Sequence, residues 1–108
     1  MVLEKILKDN KITFIKEKTF SDLLSPKGFP LRYDFYLNDK NILIEFDGKQ
    51  HFDKNNFFNY NNYEYRHECD VIKNNYAINN SIKLYRIPYT DIKKINIDNL
   101  FNKKYEVI

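Results

Sequence analysis

The chain of 108 residues contains one cysteine, two glycines, three prolines and no tryptophan. The lone Cys69 has no partner for an internal disulfide and no companions for a cysteine-based zinc site, so both are excluded, and a reducing cytosolic compartment is expected. Glycine and proline are too scarce to form a linker or a low-complexity stretch, so residues 1–108 are expected to fold as a single domain around one core. No apolar run approaches the roughly 20 residues of a membrane span. Val2 to Asp9 carry Glu4, Lys5 and Lys8, unlike the apolar centre of a signal peptide. A membrane is therefore not among the expected partners.

What is abundant is aromatic and aliphatic: nine phenylalanines and nine tyrosines supply much of the core material. The formal net charge of +3 permits a polyanionic partner without requiring one. The cations are dispersed, with only Lys93-Lys94 and Lys103-Lys104 adjacent, and form no basic stripe.

Hydrophobic spacing gives the order of elements. Val2, Leu3, Ile6 and Leu7 recur at helical intervals and predict a helix over 2–9. Ile12 to Lys18 alternates as a strand, with Phe20, Leu23 and Leu24 as an apolar continuation, and Ser25-Pro26-Lys27-Gly28-Phe29-Pro30 is a loop. Leu31 to Leu37 and Ile42 to Asp47 are two strands joined by the polar turn Asn38-Asp39-Lys40-Asn41. Residues 53–62 predict a loop, and Cys69, Ile72 and Tyr76 mark one face of a helix over 63–79. Ile82 to Ile87 is a last strand ended by Pro88, and one or two short helices are expected in the tail. The fold class is α/β, a mixed four-stranded sheet with flanking helices, because a helix between two strands implies a crossover.

The hairpin brings acids together. With Asn38 to Asn41 as the turn, Leu37 faces Ile42 and Asp34 lies across from Glu45. Alternation puts Asp47 on the Glu45 face and Ile42, Ile44 and Phe46 on the other. Two carboxylates about 4 Å apart repel by roughly 4 kcal/mol at an effective dielectric near 20, a large share of a typical stability of about 5–15 kcal/mol. A hard divalent cation with oxygen ligands would resolve that repulsion. The alternative is a solvated strand face on which Arg32, opposite Asp47 in the same register, neutralises one acid. Beyond the strand, Gly48 allows an unusual turn, and His51 could swing back as a proton carrier or remain a surface histidine.

The run Leu31-Arg32-Tyr33-Asp34-Phe35-Tyr36-Leu37, followed by Ile42 to Phe52, resembles the nuclease domains related to the very short patch repair endonuclease, which include phage and giant-virus homing-type endonucleases. Asp70 to Tyr76 and Ile82 to Tyr89 resemble the helix and last strand of the same family. The resemblance implies a restriction-endonuclease-like αβββαβ core and a metal-dependent endonuclease that hydrolyses DNA phosphodiester bonds, in a bacterial or virus-infected cytoplasm. It implies Asp34, Asp47 and Glu45 as ligands of Mg²⁺, with Mn²⁺ able to substitute, and His51 in proton transfer. Gln50 is a neighbouring catalytic candidate, and Glu4 is an acid offered by the first helix. The usual superfamily pattern carries a lysine two residues after the second acid, where this chain has Asp47. Lys49, Arg66 and Lys73 are the expected DNA contacts, Arg66 standing in for an arginine that relatives carry at the position of Cys69. For Asp70 and Lys73 an i,i+3 ion pair on the helix surface is the plainer expectation. Residues 53–62 either contact DNA or form an ordinary surface segment. A homodimer or a partner recognition domain would add selectivity to so small a nuclease. The competing expectation is a catalytically inactive DNA-binding or protein-interaction module on the same fold.

Overall fold

The computed structural model describes residues 2–47 and 60–107. Helix α1 (Val2–Asp9) is followed by strands β1 (Ile15–Leu24), β2 (Pro30–Leu37) and β3 (Ile42–Asp47), helix α2 (Tyr60–Asn79) and strand β4 (Lys83–Pro88). Two 3₁₀ turns, Tyr89–Lys94 and Lys103–Tyr105, lead to a two-residue strand β5 (Glu106–Val107). The sheet has five strands in the order β1-β2-β3-β4-β5. The first three are antiparallel neighbours, β3 and β4 run parallel, and β5 returns antiparallel to β4.

The expected order helix, three strands, helix, strand is observed, in a mixed α/β arrangement. Several bounds differ: β1 starts at Ile15 rather than Ile12, β2 starts one residue earlier, and β4 runs from Lys83 through Pro88 rather than from Ile82 to Ile87. β1 runs on to Leu24, taking in the apolar continuation at Phe20 and Leu23. α2 starts at Tyr60, so residues 60–62 are helical rather than part of a loop, and 53–59 lie outside the described residues. The tail adds a fifth strand to a sheet expected to have four, because Glu106 and Val107 pair with Tyr85 and Leu84. No helix of the described residues is long and apolar enough to cross a membrane.

The sheet separates two apolar layers. On one face Leu3 and Leu7 of α1 pack with Phe35, Leu37, Ile44, Tyr85 and Ile87, sealed by Ile95, Leu100 and Tyr105 of the tail. On the other, Ala77 of α2 lies with Leu23, Tyr33, Leu43 and Leu84, and Ile72 and Tyr76 pack against this cluster. Cys69, buried and unpaired, shares the helix with them. The helical face read from Cys69, Ile72 and Tyr76 is thus the buried face.

Pairing of Leu37 with Ile42, Tyr36 with Leu43 and Phe35 with Ile44 gives the expected hairpin register. Alternation holds along β3, where Ile44 and Phe46 face α1 and Leu43 faces α2. Along β2 it slips. Phe35 packs on the α1 side but Tyr33, two residues earlier, packs on the α2 side, and strict alternation would keep both on one face. The slip falls at Asp34. On the neighbouring strand Lys16 pairs with Phe35 and Lys18 with Tyr33, so Glu17 stands opposite Asp34. Its φ of 52° lies in the left-handed region, a conformation costing roughly 1–2 kcal/mol for a residue with a Cβ. Two strands therefore change face together at one row of the sheet.

Leu7 is fully enclosed whereas Val2 on the same helix is half-exposed. Leu7→Ala is expected to lower the unfolding free energy by about 2–5 kcal/mol. Val2→Ala should stay within about 0.5 kcal/mol. Urea denaturation of both variants checks this, and similar losses for the two would contradict the packing of α1.

Candidate functional site

The slipped row is where the acids meet. Asp34 and Glu45 face each other across β2 and β3, but their strands are joined there through side chains. The Asp34 N–H donates to Glu45 Oε1 at 2.8 Å, and the Phe46 N–H donates to Asp34 Oδ2 at 2.8 Å. Each carboxylate thus takes the backbone donor that an uninterrupted ladder would have used. These are charge-assisted bonds, the stronger kind, and they hold both acids where repulsion alone would splay them.

Glu45 is only 6% exposed. Burial pushes its carboxyl above the ordinary glutamate value and Asp34 adds to the rise, while Lys73 and Arg86 act in the opposite direction. Lys73 reaches down from α2 and donates to Glu45 Oε2 at 2.9 Å. Asp47 is bound by Arg86 of β4, whose Nη1 donates to Oδ1 at 2.8 Å. The same guanidinium donates through Nε to Asn74 Oδ1 at 2.7 Å, has Asp70 Oδ1 at 3.5 Å, and lies 4.0 Å from Glu45 Oε2. Parallel pairing places Arg86 directly beside Glu45. Tyr33 completes the junction by donating its hydroxyl to the Lys73 carbonyl at 2.8 Å. Burial and the nearby Glu45 raise the Tyr33 phenol, so the hydroxyl remains a donor at ordinary pH.

Several expectations change against this geometry. Glu45 does not lie on a solvated face, because α2 covers it with Lys73. Arg32 does not neutralise Asp47. It pairs with Thr19 across the β1–β2 ladder and its Nη1 lies 3.8 Å from Glu17. Lys73 is enclosed against Glu45, with 13% of its side chain exposed, rather than presented on the helix surface. Arg66 is exposed on α2. Glu4 forms ion pairs with Lys8 at 3.6 Å and Lys16 at 3.5 Å. Desolvation of Glu4 is outweighed by these two cations, which hold its carboxyl below the usual value. Lys49, Gln50 and His51 lie outside the described residues.

Among the described residues, no three histidine, cysteine, aspartate or glutamate side chains form a group that could hold a metal ion. Asp34, Glu45 and Asp47 have separate engagements. Asp34 differs from the other two in having no cation against it among the described residues, and it lines an open pocket of about 260 Å³ with Lys16, Glu17 and Phe35. An all-oxygen pair of carboxylates from adjacent strands, one of them open to solvent, suits Mg²⁺. That ion is commonly held by one or two carboxylates, with waters and substrate phosphates filling the remaining positions.

Arg86, Asn74 and Glu17 were not singled out from the sequence. Arg86 carried a signal, a cation between Tyr85 and Ile87 in the last strand. The position of Glu17 carried none, because its role depends on a backbone reversal.

Residues 29–107 match DUF5889, a family of unknown function. The chain belongs to this family. The span shared with DUF5889 runs from the end of the Ser25–Pro30 loop to β5 and includes Asp34, Glu45, Asp47, Lys73, Asn74 and Arg86. It leaves out α1 and β1, and with them Glu4 and Glu17. No curated protein and no solved structure matches the chain.

Removing one partner of a buried ion pair strands the other charge, at a cost of about 3–5 kcal/mol. Lys73→Met should lose on that order at neutral pH, and the double variant with Glu45→Gln should recover most of it. The pH dependence has a definite sign. A carboxyl whose folded value is raised stabilises the protein below its unfolded value and loses that contribution as pH climbs through the folded value. Without Lys73 the rise is larger, so the deficit of Lys73→Met should be greatest at neutral pH and shrink as pH falls toward the glutamate range. Denaturation midpoints of the variant and wild type from pH 4 to 7 measure it, and a deficit that grows on acidification would contradict the assignment.

Proposed function

We propose that the chain is a metal-dependent endonuclease domain of restriction-endonuclease-like type that hydrolyses DNA phosphodiester bonds. The observation that carries this reading is the pairing of Asp34 with Glu45 across a break in the β2–β3 ladder, where a buried acid and an open one lie side by side. A sheet seldom keeps two acids opposed without a use for them, since like charges in that position are unfavourable. A carboxyl raised by burial, as Glu45 is, beside a second acid is a common feature of functional sites.

In this reading Asp34 and Glu45 would hold Mg²⁺, with Mn²⁺ able to replace it. When bound, the ion supplies Lewis acidity toward the scissile phosphate and favours ionisation of the attacking water. Asp47 anchors Arg86, which steadies Glu45 from the β4 side. His51, a few residues beyond β3, carries a proton, with Gln50 beside it. Arg66, exposed on α2, and Lys49 meet the DNA backbone. A dimer or a partner domain would add target selection. The alternative, a non-catalytic module on this fold, draws its support from the counter-charges already bound to Glu45 and Asp47, which would satisfy a purely structural network.

Nicking of supercoiled plasmid with Mg²⁺ or Mn²⁺ separates the two readings. Asp34→Asn should abolish nicking and weaken Mn²⁺ binding together. His51→Ala should keep Mn²⁺ affinity and lose about 10²–10⁴-fold in rate, the usual worth of a proton carrier. A wild-type protein that never nicks under these conditions would favour the non-catalytic module.

Binding to DNA should also depend on salt. The logarithm of affinity is expected to fall linearly with the logarithm of salt concentration, with a slope of about 0.9 per phosphate neutralised. A flat response between 50 and 200 mM salt, roughly the range over which DNA-binding proteins lose most affinity, would point to a protein partner.

A further inference from the structure

Two lysine doublets, Lys93-Lys94 and Lys103-Lys104, stand apart in the sequence and are brought together by the fold. The first closes the 3₁₀ turn Tyr89–Lys94, which begins where Pro88 ends β4 beside Asp47. The second opens the turn Lys103–Tyr105, which leads into β5. Because Glu106 pairs with Tyr85 in an antiparallel ladder, the residues just before it run back along the last part of β4. A hydrogen bond joins the two turns: the Tyr105 hydroxyl donates to Asp91 Oδ2 at 2.7 Å. That bond holds the Asp91 carboxyl below its ordinary value, and Lys104 and Lys94 lower it further, against desolvation. Both doublets therefore surround one end of β4, the end at which Arg86, Asp47 and Glu45 meet.

The lysines stand on a braced backbone. Ile92, Ile95, Leu100, Phe101 and Tyr105 anchor the tail in the α1-side core. Asn99 Nδ2 donates to the Lys94 carbonyl at 2.9 Å, and the Lys104 N–H donates to Asn102 Oδ1 at 3.0 Å. All four lysines are exposed, and none forms an ion pair with an acid among the described residues. The tail's other acids, Asp98 and Glu106, lie outside both turns. No large apolar side chain between residues 90 and 107 is exposed. A protein partner would need an apolar centre to dock on, and lysine is depleted from such interfaces. Exposed lysines without that centre fit a hydrated row of phosphates, which point charges meet through release of counterions rather than through shape.

Resting on the nuclease reading above for its substrate class, we propose that Lys93, Lys94, Lys103 and Lys104 form a ledge that binds the phosphate backbone of DNA beside the acids. β4 lies two strands from β2, about 10 Å at the usual strand spacing, and the ledge lies at the end of β4. The phosphates it meets are therefore neighbours of the bond to be cleaved and not the scissile group itself. The ledge contributes affinity without base selectivity and brings no group to the chemical step. A chain whose net charge is only +3 thereby gathers four cations at the place where a polyanion has to be held.

The test measures binding of a fluorescein-labelled duplex by anisotropy in EDTA over a range of salt, apart from single-turnover nicking with Mn²⁺ at saturating protein. One variant removes the ledge by combining Lys93→Gln, Lys94→Gln, Lys103→Gln and Lys104→Gln. A control removes the same charge elsewhere, through Lys5→Gln, Lys11→Gln, Lys40→Gln and Lys83→Gln, all at exposed positions. Circular dichroism and thermal melting verify that both variants fold. The ledge variant should lose at least about tenfold in affinity near physiological salt. Its salt slope should shrink by about 1 for each lysine that meets a phosphate. Its nicking rate at saturation should stay within about twofold of wild type, as for a group that binds ground state and transition state alike. The control should keep the wild-type slope. An unchanged slope in the ledge variant, or an equal loss in the control, overturns the inference and leaves the nuclease reading intact. A saturating rate that falls in step with affinity also overturns it, because the lysines would then act at the scissile phosphate. A wild type that binds DNA through the ledge but never nicks overturns the nuclease reading and leaves the ledge standing. A wild type without affinity for DNA overturns both and points to an acidic protein.

Discussion

A carboxylate that is almost wholly removed from water governs the middle of this molecule. At 6% exposure Glu45 is met from opposite directions, by the Asp34 N–H from β2 and the Lys73 ammonium from α2. Taking a charge out of water costs several kcal/mol that only well-formed hydrogen bonds and an opposite charge can offset. The position of the helix over the sheet, the break in the hairpin ladder and the neighbouring Arg86 clamp all follow from meeting that requirement. Among the described residues, no buried side-chain nitrogen or oxygen is left without a partner.

The same requirement links elements far apart in sequence. β2 and β3 form a local hairpin, but the cations that neutralise it belong to α2 and β4. The crossover from β3 to its parallel neighbour β4 brings Arg86 level with Glu45. Asn74 and Lys73, adjacent on α2, then divide the work, one fixing the guanidinium and the other the carboxylate. A change on α2 is therefore felt on β3 through Lys73 and on β4 through Asn74.

How far the sequence foretold this depended on the range of each interaction. The hairpin register was legible because a four-residue polar turn between alternating strands fixes it locally, and the pairing of Leu37 with Ile42 followed from that alone. The faces of β3 and the buried stripe of α2 were legible from their periods. The counter-ion of Asp47 was not, because Arg32 and Arg86 are both plausible until the crossover has decided which strand lies next to β3. The change of face at Asp34 was hidden because a left-handed residue at Glu17, opposite it, has no signature in the glutamate itself. β5 was hidden for a simpler reason: two residues are too few to display a period.

The reversal at Glu17 also affects how copies of this chain meet one another. β1 is the rim of the sheet, ten residues long, and a flat rim of that length exposes a row of unsatisfied amides to which a second chain can add. Aggregation of sheet proteins begins at such rims, and bends and charges along them are effective deterrents. Here the bend at Glu17 interrupts the row near its beginning, and Lys16, Lys18 and Asp22 bring charge to it. An approaching strand finds no long straight template. The backbone reversal opposite Asp34 thus also breaks the straight template that the sheet's open border would otherwise offer.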